Sequence, residues 1–335
     1  MEILVVQTAF LGDIVLTTPL LREIKRANPG SRTTVATTPL GAALLAGHPA
    51  VDALHVLDKR GATKGPLGML TAVRELRGKR FDVSIAAQRS SRTGLIVRFA
   101  GGLKRVGFGG AAGQWAYTDR VKWDGAVHAV HRYLALAGPL GGRPDADPQP
   151  MLAVHEAARS RIHKLLGDGD DLLAISPGSI WGTKRWTPEG FAAVARSAKD
   201  MGLRPVLVGS PDEADLCRSI ADLAGGVPVL AGTTNIPDLV ALLARSKALV
   251  VNDSGPGHVA SAVGTPVVAI FGPTVPAFGY TPFGPRNMIV ENPGLECRPC
   301  DRHGPQVCPL RHHRCMTEIP PARVVDALAQ IVRPG

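Results

Sequence analysis

Short apolar runs alternate with helix-like segments along most of this 335-residue chain. The predicted strands of the first part are residues 3–7, 33–37, 54–57 and 81–87. The segments between them that have helical apolar spacing are residues 14–26, 40–46 and 67–76. Strands and helices that alternate in this way form a parallel sheet covered by helices on both faces. The first part is therefore predicted to be a doubly wound α/β lobe.

A segment rich in Gly and Pro, residues 141–150, interrupts the alternation and is predicted to be a linker. The pattern then restarts, with predicted strands at residues 172–175, 205–208, 228–230, 248–251 and 267–271. The chain is thus predicted to form two Rossmann-like lobes, residues 1–145 and 151–335, which face each other across a central cleft. We expect ligands at the carboxyl ends of the strands, and the last helix to pack back on the first lobe.

The charge balance favours anionic partners. Lys and Arg outnumber Asp and Glu by 38 to 28, a net charge of +10. Nucleotides, phosphorylated glycans and an anionic membrane surface all suit such a protein, although a basic surface can also serve solubility alone. Aromatic residues make up 4% of the chain, too few to predict base stacking, so no nucleic-acid partner is expected. Without a long apolar run or a signal-like N-terminus, the protein is expected to be cytoplasmic.

The corner at residues 252–258, Asn-Asp-Ser-Gly-Pro-Gly-His, joins a predicted strand to a predicted helix. The start of a helix presents free backbone N–H groups and the positive end of its dipole to an anion. Asp253 and His258 add a ribose-binding carboxylate and a titratable ring. The alternative is that Asp253 or Ser254 only caps the helix.

Two further corners of the second lobe contain polar and charged residues that are typical of ligand sites. Thr183, Lys184 and Arg185 precede a helix whose predicted N-cap is Thr187, with Pro188 at the first helical position. A hydroxyl, two cations and backbone amides together suit a pyrophosphate. In the loop of residues 209–213, Glu213 has two interpretations: a contact to a ribose or base, and stabilisation of its own helix start.

The first corner of the chain, residues 8–13, lacks the G-x-G-x-x-G pattern of dinucleotide-binding proteins. It places Asp13 at a helix start on the carboxyl edge of the sheet. A carboxylate there can act as a general base, but it is also electrostatically favourable in the first turn of any helix. Arg89 and Arg92 follow the fourth predicted strand, and they fit either a phosphate site or a solvated helix face.

Four cysteines cluster near the end of the chain, in the spacing Cys297-x2-Cys300 followed by Cys308 and Cys315. A reducing compartment argues against disulfides. The spacing permits a small structural metal site, but free thiols that pack a long loop are the preferred interpretation. This loop is expected to lie outside the catalytic corners and to have no catalytic role.

Together these corners resemble glycosyltransferase family 9, the heptosyltransferases, and the Cys-rich segment is most similar to their heptosyltransferase II branch. The resemblance spans nearly the whole chain and is carried by residues 11–19, 177–179, 182–186, 253–258 and 264–274. It implies a GT-B fold and an inverting transfer of heptose from ADP-heptose to the inner core of lipopolysaccharide. It also implies that neither a metal nor another cofactor is required.

The resemblance further implies roles for individual residues. Asp13 would deprotonate the acceptor hydroxyl, and Thr183 and Lys184 would hold the diphosphate, with Lys184 offsetting charge on the departing ADP. Glu213 would contact the ribose. The residues that match the donor-binding loop of the family are Asp253, Ser254, Gly255, Pro256 and His258.

The enzyme implied by this resemblance would be peripheral to the cytoplasmic face of the inner membrane, where its lipid-linked acceptor lies. Two alternatives stay open: a nucleotide-sugar-binding protein of the same fold that does no chemistry, and a family 9 transferase with another donor or acceptor. A metal-containing nucleic-acid-binding protein is disfavoured, because aromatic residues are few and no basic recognition helix is recognisable.

Overall fold

The structure, a computed structural model, describes residues 1–59, 61, 63–143, 145–169 and 171–332. The chain forms two compact units, the first comprising Met1–Ala153 and the second beginning at Val154. Pro144 of the predicted linker and the last three residues of the predicted second lobe lie outside the described residues.

The first unit is a parallel sheet with helices. Its strands are β1 (Glu2–Gln7), β2 (Arg32–Thr37), β3 (Ala53–Val56), β4 (Val83–Ala86), β5 (Lys104–Phe108) and β6 (Asp119–Val121). Its helices are α1 (Leu11–Leu16), α2 (Thr18–Ala27), α3 (Pro39–Leu45), α4 (Gly65–Gly78), α5 (Ser91–Ala100) and α6 (Ala129–Leu134). The strand order is β3-β2-β1-β4-β5-β6, with every neighbouring pair parallel.

The strand order reverses direction between β1 and β4, so this unit has a switch point at the carboxyl ends of those two strands. Because crossovers between parallel strands are right-handed, the helices that follow β1 and β2 cover one face of the sheet, and α4 and α5 cover the other. β1 is fully buried over Ile3–Val6, as expected of a central strand in a sheet covered on both faces.

The predicted helix of residues 14–26 and the predicted linker both differ from the structure. The predicted helix 14–26 is divided into α1 and α2 at Thr17, because Pro19 has no N–H to donate to the preceding turn. The predicted linker packs on α2: Arg22 Nη1 donates to the carbonyl of Gln149 at 2.8 Å, and the Met151 amide donates to Thr18 Oγ1 at 3.1 Å. Residues 141–153 therefore belong to the first unit.

The second unit repeats the architecture. Its strands are β7 (Leu172–Ser176), β8 (Arg204–Leu207), β9 (Ala248–Asn252), β10 (Val267–Phe271) and β11 (Asn287–Glu291), in the order β11-β10-β9-β7-β8 with parallel neighbours. Its helices are α7 (Glu156–Leu166), α8 (Pro188–Asp200), α9 (Ala214–Leu223), α10 (Ile236–Arg245), α11 (Gly255–Ala262), α12 (Arg314–Thr317) and α13 (Pro321–Val332).

The start of α8 confirms the predicted cap, since the Thr187 side chain accepts the Gly190 amide at 3.1 Å. The predicted strand 228–230 is wrong: only a single bridge between Val229 and Leu207 forms there. The last helix, α13, packs on α8 and on the sheet strands β9, β10 and β11. Among the helices that the structure describes, none is long and apolar enough to cross a lipid bilayer.

Candidate active site

The centre of the site in the second unit is a buried ion pair. Lys184 Nζ lies 2.5 Å from Asp253 Oδ2, and the hydroxyl of Thr274 donates to the same oxygen at 2.6 Å. The Lys184 and Asp253 side chains are only 11% and 10% exposed, so both charges are largely removed from water. The three residues follow the adjacent strands β7, β9 and β10, whose carboxyl ends share one edge of the sheet.

These contacts bear on the capping interpretation of Asp253. Its carboxylate is held by Lys184 and Thr274, so it does more than cap a helix, and its contact to a ribose stays a prediction. Asn252 is fully buried and links the end of β9 to the loop that follows β7. Its side chain accepts a hydrogen bond from the Trp186 amide at 3.1 Å and donates one to the carbonyl of Pro177 at 2.7 Å. The loop that carries Lys184 and the end of β9 are thus bound together.

The donor-loop residues lie at the start of α11. Ser254 is the N-cap residue, Gly255 and Pro256 begin the helix, and His258 is buried in its first turn. The Ser254 hydroxyl does not cap the helix, and among the described residues it has no hydrogen-bond partner although its oxygen is buried. A helix start with a buried, unsatisfied hydroxyl can bind an anion or a polar ligand.

Thr183 is hydrogen-bonded to the Cys-rich loop, residues 297–315. The Thr183 hydroxyl donates to the carbonyl of Pro305 at 2.5 Å, and the Thr183 amide donates to the same oxygen at 3.3 Å. The Thr183 carbonyl lies 2.8 Å from His313 Nε2, and the Gly182 amide donates to Gln306 Oε1 at 3.1 Å. The expectation that this loop lies outside the catalytic corners is therefore wrong, because it holds the corner that carries Lys184.

Glu213 forms the capping arrangement that was one of its two interpretations. Its Oε2 accepts the Ser210 amide at 2.8 Å, as the Ser210 side chain accepts a backbone amide in return. A Cβ on Gly178 would lie 1.9 Å from Glu213 Oε1, so the carboxylate lies directly against the Gly178 backbone. Glu213 thus borders the β7 corner, and its contact to a ribose stays a prediction.

In the first unit, Asp13 lies in the first turn of α1 and is bonded to a buried tyrosine. Tyr133 Oη donates to Asp13 Oδ1 at 2.6 Å. Tyr133 lies on α6 and is 4% exposed, with its ring tilted against Phe108 at 6.4 Å between centroids. A carboxylate held by a rigid phenol at the switch point of a sheet is fixed in orientation, as a general base requires.

Lys59 contacts this corner, and three arginines lie on the segments that follow β4 and on α6. Lys59 donates to the carbonyl of Thr8 at 2.8 Å; partial burial, with repulsion from Arg92, lowers the pKa of Lys59. The guanidinium groups of Arg89 and Arg132 lie over the Trp123 ring, 4.6 and 4.8 Å from its centroid. Arg89 is therefore not part of a solvated helix face, whereas Arg92 is exposed in the first turn of α5.

The four thiols of the Cys-rich loop differ in environment. Burial raises the pKa of Cys315 to about 11, and burial also raises the pKa of Cys300. Burial opposes ionisation of Cys308 too, but backbone amides of residues 310–313 bond its thiolate and hold its pKa below the ordinary value. Within the described part of the chain, no group of three or more His, Cys, Asp or Glu side chains is arranged to hold a metal ion. Metal binding by Cys297, Cys300, Cys308 and Cys315 stays the less favoured alternative to free thiols.

Comparison with known proteins places the chain in a family. The model of glycosyltransferase family 9 (heptosyltransferase) matches residues 69–309. Lipopolysaccharide heptosyltransferase 2 of Escherichia coli K12 is 30% identical over 83% of this chain and 84% of that protein. Lipooligosaccharide heptosyltransferase 2 of Haemophilus influenzae is 27% identical over 99% of each chain.

The structure of E. coli ADP-heptose lipopolysaccharide heptosyltransferase II is similar throughout, with a TM-score of 0.80, 26% identity, and coverage of 99% of this chain and 98% of that one. This similarity confirms the predicted GT-B fold class. Because the family model matches more than two thirds of the residues, and the sequence relatives match over most of their length, the chain belongs to glycosyltransferase family 9 and is a glycosyltransferase.

Proposed function

We propose that this protein transfers heptose from ADP-heptose to the inner core of lipopolysaccharide. Membership of the heptosyltransferase family supports this, as do the names of the relatives, which are lipopolysaccharide and lipooligosaccharide heptosyltransferases. The observation that carries the proposal is the buried Lys184–Asp253 pair beside the start of α11. A cation fixed next to a helix N-terminus suits the diphosphate of a nucleotide sugar.

In this proposal Lys184 and the amides at the start of α11 bind the diphosphate. An ammonium group has three donors; one is used by Asp253, and the others remain for phosphate oxygens. Both donors of Thr183 are used by Pro305, so Thr183 contributes by fixing the corner. Glu213 accepts a hydrogen bond from a ribose hydroxyl through Oε1, because its Oε2 already accepts the Ser210 amide. Ser254, Gly255, Pro256 and His258 complete the donor loop.

The chemical step needs one base and one group that stabilises the leaving ADP. Asp13 takes the proton from the acceptor hydroxyl while the hydroxyl oxygen forms a bond to the anomeric carbon of heptose. The bond from that carbon to the ADP oxygen breaks, with inversion, and ADP departs with the bonding electrons. Lys184 offsets the charge on ADP, the task that a metal ion has in other transferases. Tyr133 keeps the Asp13 carboxylate oriented towards the acceptor.

The acceptor is anionic and lipid-linked in this proposal. Lys59 contacts the Thr8 carbonyl, Arg89 follows β4 and Arg92 lies in the first turn of α5, and they supply positive charge for acceptor phosphates. The protein acts as a peripheral protein at the cytoplasmic face of the inner membrane, in keeping with its net charge of +10.

The test is ADP release by the purified protein given ADP-heptose, with and without a heptose-terminated inner-core acceptor. Acceptor-dependent release is the expected result. If ADP-heptose binds but no acceptor stimulates release, the protein is a nucleotide-sugar-binding protein or uses another acceptor. If ADP-heptose does not bind, the proposed identity of the donor is wrong. Calorimetric titration with ADP-heptose separates these outcomes.

A further inference from the structure

One face of the first unit exposes large apolar side chains. α4 and α5 contact each other and lie on the same face of the sheet, because both belong to crossovers that run from β3 towards β5. Leu67 and Leu70 of α4 are 80% and 53% exposed, and Leu95 and Phe99 of α5 are 42% and 49% exposed. We call the outward sides of these two helices the α4–α5 surface.

The exposed positions follow helical spacing. In α4, Leu67, Leu70 and Arg74 occupy positions i, i+3 and i+7, which lie on one side of a helix. Arg92, Leu95 and Phe99 repeat this spacing in α5. The opposite sides are buried, over Ala72, Val73 and Leu76 in α4 and over Thr93, Gly94, Ile96, Val97 and Ala100 in α5. Apolar residues therefore face water on helices whose inner sides are already packed.

The charges on this surface are predominantly positive. Every residue of α4 and α5 is described, and their exposed charged side chains are Arg74, Arg77, Arg92, Arg98 and a single acid, Glu75. The Glu75 carboxylate lies 3.8 Å from His55 Nε2. A second copy of the chain would bring four arginines against four arginines, which disfavours self-association through this face. Exposed apolar side chains surrounded by arginines are complementary to a lipid bilayer, which has anionic headgroups at its surface and an apolar interior.

We propose that the α4–α5 surface docks on an anionic lipid bilayer, with Leu67, Leu70, Leu95 and Phe99 in the interfacial layer and the arginines against lipid phosphates. Helices with an apolar stripe and basic flanks bind membranes in this orientation. The inference rests on the proposed function only in that a lipid-linked acceptor gives the docking a purpose. The α4–α5 surface is the part of the protein that makes this membrane contact.

The test is flotation of the full chain with vesicles of phosphatidylcholine alone, or of phosphatidylcholine with phosphatidylglycerol at about 7:3. We expect binding to the anionic vesicles that weakens as salt rises. The Leu67→Ser/Leu95→Ser/Phe99→Ser variant should lose at least about tenfold in partition. The Arg74→Gln/Arg98→Gln variant should lose about 25-fold, since each cation near an anionic surface contributes about fivefold.

The matched controls change the same kinds of exposed residues on the second unit, namely Leu165→Ser/Leu223→Ser and Arg159→Gln/Lys164→Gln. They should bind vesicles as the wild type does. Equal binding to neutral and anionic vesicles would overturn the proposal, and so would α4–α5 variants that bind like the wild type. A concentration-dependent dimer that the serine variant abolishes, without vesicle binding, would make the face a self-interface instead.

Flotation needs neither donor nor acceptor, so its failure is distinguishable from failure of the proposed transfer. The α4–α5 variants should release ADP normally with a water-soluble acceptor fragment and more slowly with acceptor embedded in anionic vesicles. Equal loss with both acceptors would contradict a docking role, because it would place the defect in the catalytic machinery.

Discussion

The phenol of Tyr133 donates a 2.6 Å hydrogen bond to the carboxylate of Asp13, across 120 residues of sequence. The phenol comes from α6 and the carboxylate from α1, two helices that contact each other beside the sheet. Because Tyr133 is buried and packed on Phe108, the bond fixes the direction of the carboxylate. The proposed base is therefore oriented by a residue that does not itself take part in proton transfer.

Replacing Tyr133 by Phe should slow transfer without weakening donor binding. The ring is retained, so packing on Phe108 persists, while the hydrogen bond to the charged carboxylate is lost. We expect kcat to fall about tenfold, because the carboxylate loses the contact that orients it towards the acceptor hydroxyl. The pH below which activity disappears should rise, because the charged form of Asp13 loses a donor.

The matched control is Tyr117→Phe. Tyr117 is also buried, but its hydroxyl has no hydrogen-bond partner within the described part of the chain. It should leave kcat and its pH profile unchanged. Identical profiles for Tyr133→Phe and the wild type would show that the bond does not orient the base.

Breaking the Lys184–Asp253 pair should destabilise the second unit as well as weaken donor binding. Lys184→Met leaves the Asp253 carboxylate buried without its cation, which typically costs about 3–5 kcal/mol of unfolding free energy. The Lys184→Met/Asp253→Asn double variant should recover most of that stability, because no uncompensated charge remains. Donor affinity should stay low in both. Urea unfolding and calorimetric titration with ADP-heptose measure the two effects, and a double variant as unstable as Lys184→Met would argue against a paired charge.

The contact between the Cys-rich loop and the Lys184 corner can be tested at Gly182. A Cβ there would lie 2.4 Å from the Gln306 carbonyl oxygen, so Gly182→Ala must displace the loop or the corner. We expect the KM for donor to rise several-fold. Gly294→Ala, where a Cβ would meet nothing within 4 Å, should have no effect. Equal kinetics for the two variants would mean that the loop does not hold the donor site.

His48 should make the first unit sensitive to mild acid. Its side chain is 1% exposed and accepts the Ala50 amide at 3.2 Å; burial, with repulsion from Arg22, lowers its pKa to about 4. Between pH 6.5 and 4 the unfolded chain binds a proton that the folded chain does not, so stability falls as pH falls. From pH 7.5 to pH 5 the loss is about 2 kcal/mol. His48→Asn should show a smaller loss in urea unfolding; an identical loss would assign the effect to other groups.

The sequence predicts the parts of this fold that depend on local pattern. β7, β9 and β10 are buried apolar runs that end in Gly-containing corners, so the strands are recognisable from the sequence pattern. Lys184 and Asp253 follow the ends of β7 and β9, which places both residues at the carboxyl edge of the sheet. β5 escapes prediction because Lys104 and Arg105 open the strand and Gly107 interrupts its apolar pattern. Such a strand is recognisable only once its neighbour β4 is in place.

The remaining features depend on contacts between distant segments. Tyr133 carries no motif, and its bond to Asp13 arises only when α6 packs beside α1. Thr274 lies in a segment that matches the family, but its bond to Asp253 depends on the adjacency of β9 and β10. The contact of His313 with Thr183 spans 130 residues. A single sequence does not encode these pairings in any local pattern.

The most direct test of the account is transfer by Asp13→Asn with ADP-heptose and a heptose-terminated inner-core acceptor. Asn has nearly the same shape and can still accept the bond from Tyr133, but it cannot take a proton. We expect kcat to fall by about 10²- to 10⁴-fold, with donor affinity in calorimetric titration equal to that of the wild type. Turnover close to the wild-type rate would contradict the account, because it would remove Asp13 from the chemical step.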